Sequence, residues 1–308
     1  MAGNVYVTLQ QFCESDNAPR RILQEAGLRV TENRLGRRLK PEEMGGLLAE
    51  AEAVLAGVEP YDARLLEQLP KLRCISRCGA GTDSVDLEAA RRRGIAVLTT
   101  PDEVAQPVAE LTLGMILALA RRFPQSVRSF DAGKWNKQTG FLLSEWTVGL
   151  IGFGRIGRAV ERLLRPMSPK VLACDPLIPR EELPPGVELV SLEDLLSRAD
   201  LVSLHASRRP EEGVLLGENE FAQMKPGSFL VNTARGYLTD EFALERALSS
   251  GRLAGAALDV FEKEPYDGPL ARMPQVLCTP HVATLTKASR AAMELRCAKN
   301  VVEFLGKA

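Results

Sequence analysis

Three glycines with the spacing of a phosphate-binding turn lie near the middle of the chain, at Gly152, Gly154 and Gly157. They follow a short apolar run typical of a buried strand and precede a helical pattern. In such a turn the first glycine permits a tight bend, the second lets the backbone approach a pyrophosphate, and the third lets the helix pack on the strand. The stretch therefore predicts a dinucleotide-binding loop. The alternative is a glycine-rich β-turn without a ligand, which would leave the flanking strand and helix unexplained.

An acidic residue, Asp175, ends the next predicted strand, 18 residues past Gly157 (175 − 157). A carboxylate at this position can accept hydrogen bonds from the ribose hydroxyls of a dinucleotide, and it would repel the additional phosphate of NADP. The pattern favours NAD as the cofactor.

Three side chains that could act on a small carboxylic acid lie farther along the chain, at Arg235, Glu264 and His281. Reduction of a 2-keto acid needs a guanidinium for the carboxylate, a proton donor for the carbonyl oxygen and a group that orients this donor. Each of the three follows a predicted strand end, where α/β sheets bind ligands. Any one of them alone would be interpreted as a solvated loop residue. Because all three follow strand ends in one series, we interpret them together as a catalytic trio. His205 also follows a predicted strand but lacks an acidic partner in sequence, and we expect it to line the cofactor cleft.

Apolar runs alternate with amphipathic stretches, which predicts a βαβ chain with parallel sheets. Strands are predicted at 54–57, 73–77, 95–98, 148–151, 170–174, 201–204, 229–232, 255–258 and 276–278. Helices are predicted at 41–52, 86–93, 104–122, 158–164, 240–249 and 287–305. The helix at 104–122 is apolar on most sides, which predicts burial within the protein or against a second subunit. The stretch 123–146 has weak periodicity and is interpreted as a connecting arm.

Length and composition limit the class of protein. A chain of 308 residues suggests two domains. A net charge of −1 and an aromatic content of 5% argue against nucleic-acid and membrane partners. No run reaches the roughly 18 uninterrupted apolar residues of a membrane span, and no signal-peptide pattern begins the chain, so we expect a cytoplasmic protein. The 6 cysteines are expected to be free thiols, and the 2 histidines make a zinc site unexpected.

Several motifs, in this order, resemble those of the D-isomer-specific 2-hydroxyacid dehydrogenases, most closely the 3-phosphoglycerate dehydrogenase branch. The first is the stretch 77–86, which contains Gly79 and Gly81, and the second is Val-Ala-Glu-Leu at 108–111. The others are the glycine loop at 152–157 with Asp175, and the stretches 224–227, 232–236, 258–265 and 279–281. The resemblance implies an α/β fold with two Rossmann-like domains and a cleft between them. A flavodoxin-like substrate domain would comprise 1–100 and 283–308, and an NAD-binding, doubly wound parallel sheet would comprise 101–282.

The resemblance also assigns roles to residues. Arg235 would grip the carboxylate and carbonyl of a 2-hydroxy or 2-keto acid, His281 would exchange the proton, and Glu264 would hold the imidazole. Substrate contacts would come from Arg77, Gly79, Ala80, Gly81 and Arg235. Cofactor contacts would come from Gly152, Gly154, Arg155, Ile156, Gly157, Asp175, His205, Thr233, Ala234, Arg235, Asp259 and His281. Within this set, Asp259 is expected near the nicotinamide amide.

The resemblance further implies a homodimer, joined through the cofactor domains by the helix at 104–122 and the arm after it. No regulatory domain is expected after Ala308. The sequence departs from the family pattern at positions expected near the ligands. These are Gln106-Pro107, Ser84, the stretch Ala206-Ser207-Arg208-Arg209, and Ala283-Thr284.

The departures leave the substrate open. The first hypothesis is 3-phosphoglycerate, with Arg20 or Arg21 meeting its phosphate, followed by a glyoxylate or hydroxypyruvate reductase. A second class of protein, a non-catalytic NAD(H)-sensing binding protein on the same scaffold, stays an alternative that the intact trio disfavours. A formate or phosphite dehydrogenase is a third interpretation. Glu264 speaks against a formate enzyme, because glutamine stands at that position in such enzymes.

Overall fold

Parallel strands form two separate sheets in the computed structural model, which describes residues 3–207 and 212–306. Unit 1 contains the described residues up to Val104 and those from Thr284 onward, and unit 2 contains Ala105–Ala283. These limits lie close to the domain boundaries predicted at residues 100 and 282.

The strands of the described chain all pair in parallel. Unit 1 contains β1 (Asn4–Val7), β2 (Arg29–Glu32), β3 (Ala53–Ala56), β4 (Cys74–Arg77) and β5 (Ala96–Leu98). Unit 2 contains β6 (Thr147–Ile151), β7 (Lys170–Cys174), β8 (Val187–Leu189), β9 (Leu201–Leu204), β10 (Ser228–Asn232), β11 (Leu253–Leu258) and β12 (Val276–Cys278).

Helices connect the strands. In chain order they are α1 (Ala18–Glu25), α2 (Pro41–Leu48), α3 (Ala63–Glu67), α4 (Leu87–Arg92), α5 (Pro101–Ala120), α6 (Phe123–Asp131), α7 (Arg155–Leu164), α8 (Leu192–Arg198), α9 (Glu218–Gln223), α10 (Glu241–Ser249) and α11 (Lys287–Leu305).

The sheet of unit 1 has the order β2-β1-β3-β4-β5 and is covered on both faces. Alternate residues of each strand point to opposite faces. On one face, Val5 and Val7 pack with buried residues of α1 and α11, and on the other face Tyr6 packs with buried residues of α2, α3 and α4. The strand order reverses between β1 and β3, which makes their carboxyl ends a topological switch point.

The sheet of unit 2 has the order β12-β11-β10-β9-β6-β7-β8. One face packs on α8, α9 and α10, and the other face packs on α5 and α7. Here the strand order reverses between β6 and β9, the second switch point of the chain. The predicted fold class, two doubly wound parallel α/β sheets, is confirmed.

Several elements are absent from the sequence-based prediction. They are strands β1, β2 and β8 and helices α1, α3, α8 and α9. The stretch 123–146, interpreted as a connecting arm of weak periodicity, begins with helix α6, which the sequence-based prediction did not include. Pro124 occupies the first turn of α6, where its fixed φ suits a helix, and Arg122 in left-handed conformation (φ 56°) separates α6 from α5.

The long helix predicted at 104–122 is present as α5, beginning three residues earlier. Among the described residues, α5 is the helix whose length and apolar composition would suffice to cross a membrane. In its most apolar window 56% of the residues are buried within the structure. This burial is typical of a helix that packs in a protein core.

Candidate active site

The glycine loop connects β6 to α7 at the switch point of unit 2. Gly152 has φ +90°, and a Cβ atom there would lie 2.5 Å from the backbone nitrogen of Ala206, so only glycine fits. Gly154 is the N-cap of α7 and supplies no side chain to the first amides of this helix. The loop thus leads into a positive helix end without a side-chain cap, which suits a pyrophosphate.

Asp175 follows β7 directly and is bonded to the glycine loop. Its carboxylate accepts hydrogen bonds from the backbone N–H groups of Phe153 (2.8 Å) and Leu177 (2.9 Å). The residue also lines an open depression of about 660 Å³ that extends over Arg180, Ser191 and neighbouring side chains. Asp175 therefore has the position required for a ribose contact beside the loop.

His205 follows β9, on the other side of the switch point. Its Nε2 lies 3.0 Å from the hydroxyl of Ser203, while its Nδ1 is buried and has no hydrogen-bond partner among the described residues. Burial lowers the pKa of His205 to about 3, so the ring is neutral at physiological pH. The structure thus places His205 against the glycine loop as a neutral imidazole, which is unsuited to proton exchange near neutral pH.

A second histidine forms an acid–base pair with a glutamate. The Nδ1 atom of His281 lies 2.9 Å from Oε2 of Glu264, and Oε1 of this glutamate accepts a hydrogen bond from the N–H of Phe261 (3.1 Å). Both side chains are partly exposed, His281 by 49% and Glu264 by 37%. Because Nδ1 is engaged, Nε2 is the ring nitrogen that can exchange a proton with a ligand.

A buried aspartate fixes the backbone around His281. Asp259 is fully buried, and its carboxylate accepts hydrogen bonds from the hydroxyl of Thr279 (2.5 Å) and from the N–H groups of Val282 (2.9 Å) and Ala283 (3.0 Å). These bonds stabilise the left-handed conformation of His281 (φ 53°). The predicted contact of Asp259 with a nicotinamide amide stays a prediction, whereas its support of the His281 segment is visible.

Arg235 is held in a loop after β10. The side chain of Asn232 donates to the carbonyl of Arg235 (2.8 Å) and accepts from the N–H of Ala234 (3.0 Å). A Cβ atom on the next residue, Gly236, would collide with the backbone of Phe261, so this loop lies directly against the segment that contains Glu264. The three predicted catalytic residues thus follow the adjacent strands β10, β11 and β12. Thr233, another predicted cofactor contact, is buried, and its hydroxyl lies 2.9 Å from the hydroxyl of Thr112.

Apart from Arg235, which lies in unit 2, the residues predicted to contact the substrate belong to unit 1. Arg77 ends β4, and Gly79 (φ +144°) begins a turn that continues through Ala80 and Gly81. Thr100 fixes this turn, since its hydroxyl accepts from the N–H of Gly79 (2.9 Å) and its N–H donates to the carbonyl of Gly79 (3.0 Å).

The residues that depart from the family pattern lie in different parts of the structure. The carbonyl of Ser84 accepts a hydrogen bond from the N–H of Tyr61 (2.6 Å), and the N–H of Ala283 donates to Asp259. Ser207 is exposed, and Arg208 and Arg209 lie outside the described residues.

The proposed phosphate role of Arg20 and Arg21 gains no support. Arg20 forms two bonds to the carboxylate of Glu32 (2.5 and 2.9 Å), which neutralises its charge. The side chain of Arg21 is 67% exposed, and its Nε lies 3.9 Å from Oε1 of Glu25. Sequence reasoning also missed a polar group at the switch point of unit 1, formed by Thr8, Glu59 and Tyr61. In the sequence Glu59 is a single acid before a proline, which gives no indication of burial.

The fold and this site define an α/β protein with a dinucleotide loop and a histidine–glutamate pair at the same edge of one sheet. The family model of the D-isomer specific 2-hydroxyacid dehydrogenase NAD binding domain matches residues 113–283. The chain therefore belongs to the D-isomer specific 2-hydroxyacid dehydrogenase family, and its unit 2 is the NAD-binding domain.

Curated relatives include the D-3-phosphoglycerate dehydrogenases of Homo sapiens and Methanocaldococcus jannaschii. The human protein is 39% identical over 296 residues, covering 94% of this chain and 54% of the relative. The archaeal protein is 37% identical over 291 residues, covering 92% and 55% respectively. The chain thus spans about half the length of these relatives.

Solved structures of similar length also match. The TT0316 protein from Thermus thermophilus has a TM-score of 0.88 at 35% identity, covering 99% of this chain and 97% of that chain. A glyoxylate reductase from Paecilomyes thermophila has a TM-score of 0.88 at 29% identity, covering 97% and 94%.

Proposed function

We propose that the protein is an NAD-dependent oxidoreductase that interconverts a small D-2-hydroxy acid and its 2-keto acid. The observation that carries the proposal is the 2.9 Å bond between His281 and Glu264 at the edge of the sheet that holds the glycine loop. A histidine whose Nδ1 is fixed by a carboxylate is a general acid and base with Nε2 free to react. The relatives with dehydrogenase and reductase names support the same reaction class.

In the reducing direction, the guanidinium of Arg235 receives the carboxylate and carbonyl oxygen of the keto acid. Nε2 of His281 donates a proton to the carbonyl oxygen and recovers it in the reverse reaction. The carboxylate of Glu264 orients the ring and stabilises its protonated form. When bound, NADH supplies the hydride. Gly154, the N-terminus of α7 and Asp175 would hold it.

The names of the relatives suggest candidate substrates, 3-phosphoglycerate from the curated proteins and glyoxylate from a solved structure. The decisive experiment measures NADH and NADPH oxidation with a panel containing 3-phosphohydroxypyruvate, hydroxypyruvate, glyoxylate and pyruvate. We expect turnover of at least one keto acid with preference for NADH. Tight NADH binding without turnover of any keto acid would instead favour a non-catalytic NAD-sensing protein.

We also propose that the protein is a cytoplasmic homodimer that assembles through unit 2. Support comes from large apolar side chains exposed on and after α6, where Phe123 and Val127 are 56% exposed, Phe130 is 67% exposed and Trp135 is 80% exposed. Apolar side chains exposed together in this way are typical of interaction surfaces. Light scattering on the purified chain should give a dimer, and the double substitution Phe130→Ser with Trp135→Ser should give monomers. The six free cysteines fit a reducing compartment, and fractionation of the source cells would test it.

A further inference from the structure

Two cysteines of unit 1, which the proposed reaction does not use, lie against each other where β4 ends. Cys78 directly follows β4 and Cys297 lies in α11, and both belong to the buried apolar cluster that α11 forms with the sheet. The Sγ atom of Cys297 lies 3.2 Å from the carbonyl oxygen of Ser76, two residues before Cys78 and so on the same face of the strand. The two thiols are hydrogen-bonded to each other. The fold thus pairs two thiols that are 219 residues apart in the chain (297 − 78).

An arginine of α11 contacts one of these thiols. Nη1 of Arg290 lies 3.8 Å from Sγ of Cys78, and Nη2 forms an ion pair of 2.9 Å with Glu294. A guanidinium at this position stabilises a thiolate relative to a thiol. Cys78 is 5% exposed and the side chain of Arg290 is 25% exposed, so Arg290 connects the buried sulfur to solvent.

Cys78 differs from the other cysteines in its ionisation. The hydrogen bond from Cys297 lowers the pKa of the Cys78 thiol, and burial opposes this effect. Of the nearby charges, Arg290 and Arg77 lower this pKa and Glu294 raises it. Burial raises the pKa of all the other thiols, which are those of Cys13, Cys74, Cys174, Cys278 and Cys297. Because the thiolate is the reactive form of cysteine, Cys78 is the thiol of the chain best suited to attack an oxidant.

We propose that Cys78 and Cys297 form a reversible redox site, in which hydrogen peroxide oxidises Cys78 and Cys297 converts the product to a disulfide. The thiolate of Cys78 attacks one peroxide oxygen, the O–O bond breaks, and the departing hydroxide takes up the proton that Cys78 had released. This leaves a sulfenic acid. The sulfur of Cys297 then attacks Sγ of Cys78, and the sulfenic oxygen leaves as water with the proton of Cys297. Two electrons pass from the two thiols to the peroxide, which becomes two molecules of water.

The disulfide joins the end of β4, and with it the turn that begins at Gly79, to α11. All six cysteines are free thiols in the structure, which is therefore the reduced form of this site. In reducing compartments, disulfides are usually transient and serve catalysis or redox sensing. The redox site does not depend on the proposed dehydrogenase activity, so its tests follow the thiols themselves.

The first test treats the reduced, purified chain with hydrogen peroxide and maps its peptides without reductant. We expect a disulfide between Cys78 and Cys297 that dithiothreitol reverses. Cys297→Ser should stop the reaction at the sulfenic acid of Cys78, which dimedone labels, and Cys78→Ser should leave Cys297 a thiol. Oxidation of other cysteines while Cys78 stays reduced would overturn the proposal.

The matched control is Cys74→Ser. Cys74 lies on the same face of β4 and is fully buried, and burial raises the pKa of its thiol to about 12. This variant should form the disulfide at the wild-type rate. Loss of the disulfide in Cys74→Ser as complete as in Cys78→Ser would overturn the assignment to a specific pair. Circular dichroism establishes that each variant folds, and Cys297→Ala replaces Cys297→Ser if the serine variant does not.

The second test concerns Arg290 and is made in the Cys297→Ser background, where dimedone labelling measures the first step alone. Arg290→Gln removes the positive charge beside Cys78 and should slow sulfenic acid formation by about tenfold. Arg290→Lys keeps the charge and should restore most of the rate. Arg296→Gln, which removes an exposed arginine of the same helix, is the control and should leave the rate unchanged. Equal rates in Arg290→Gln and in its parent would exclude activation of Cys78 by Arg290.

Discussion

The two switch points of this protein have the same topology and opposite chemistry. Between β6 and β9 lie the glycines of the loop and the start of α7, which has no side-chain cap and so offers a positive helix end. Between β1 and β3 lie the hydroxyl of Thr8 and the carboxylate of Glu59. The first attracts an anion and the second repels one, because a helix N-terminus has a partial positive charge and a carboxylate has a negative charge.

The strand order therefore determines the position of a binding crevice, and the residues that follow each strand determine which ligand can bind there. A pyrophosphate needs close approach of the backbone, which Gly152 and Gly154 permit. At the switch point of unit 1, polar side chains occupy the corresponding position instead. The following predictions test this division, beginning with the largest expected effect.

Replacing His281 with alanine should separate chemistry from cofactor binding in unit 2. Loss of the general acid should lower kcat by about 10²–10⁴-fold, while the Kd for NADH changes little because the glycine loop is intact. Stopped-flow or steady-state kinetics and fluorescence titration with NADH measure the two quantities. Glu264→Gln is the matched variant and should lower kcat by less, since the amide oxygen can still accept a hydrogen bond from the Nδ1–H group of His281. Full activity of His281→Ala would exclude the acid–base assignment.

Adding a methyl group to the glycine loop should weaken cofactor binding. Gly152→Ala places a Cβ 2.5 Å from the nitrogen of Ala206, which forces the loop to move, and we expect the Kd for NADH to rise by about 10²-fold. Gly186→Ala is the control, because Gly186 also has φ +90° but has nothing within 4 Å of an added Cβ. Isothermal titration calorimetry measures both variants. Equal losses of affinity would show that backbone strain alone is responsible.

Removing the acid beside the loop should change the choice of cofactor. Asp175→Ala eliminates the carboxylate expected to repel the additional phosphate of NADP, so the NADPH to NADH ratio of kcat/KM should rise by about tenfold. Asp194→Ala, at the rim of the same depression, is the control and should have a smaller effect. If both variants retain the wild-type ratio, Asp175 does not set the preference.

The smallest effect concerns stability. The pKa of His205 is lowered by burial from 6.5 to about 3, so the unfolded chain takes up a proton more readily than the folded protein. The stabilising contribution of the neutral ring is present above pH 6.5 and is lost as the pH falls toward 3. Between pH 7 and pH 5 the wild type should lose about 1–2 kcal/mol more unfolding free energy than His205→Gln. Urea unfolding at the two pH values measures this, and parallel losses would contradict it.

Much of the fold could be predicted because long elements carry a clear hydrophobic period. The predicted strands at 148–151 and 170–174 and the helix at 287–305 agree with β6, β7 and α11. The edge strand β2 could not be predicted, since its residues alternate only between exposed and half-buried positions. Helix α6 was not predicted, although its residues Phe123, Val127 and Phe130 recur at i, i+4 and i+7, the spacing of one helix face. What the sequence could not indicate is that this apolar face is exposed in the structure.

The sequence by itself determined the dinucleotide loop and the three residues after β10, β11 and β12. Their types and their order along the chain specify chemistry before any contact is known. Only the tertiary structure decided that His205 is a buried neutral ring, that Asp259 supports the backbone around His281, and that Glu59 is buried beside Thr8 at a switch point. The physical reason is that burial and hydrogen-bond satisfaction depend on segments far apart in sequence, such as Thr8 and Glu59, which the sheet brings together.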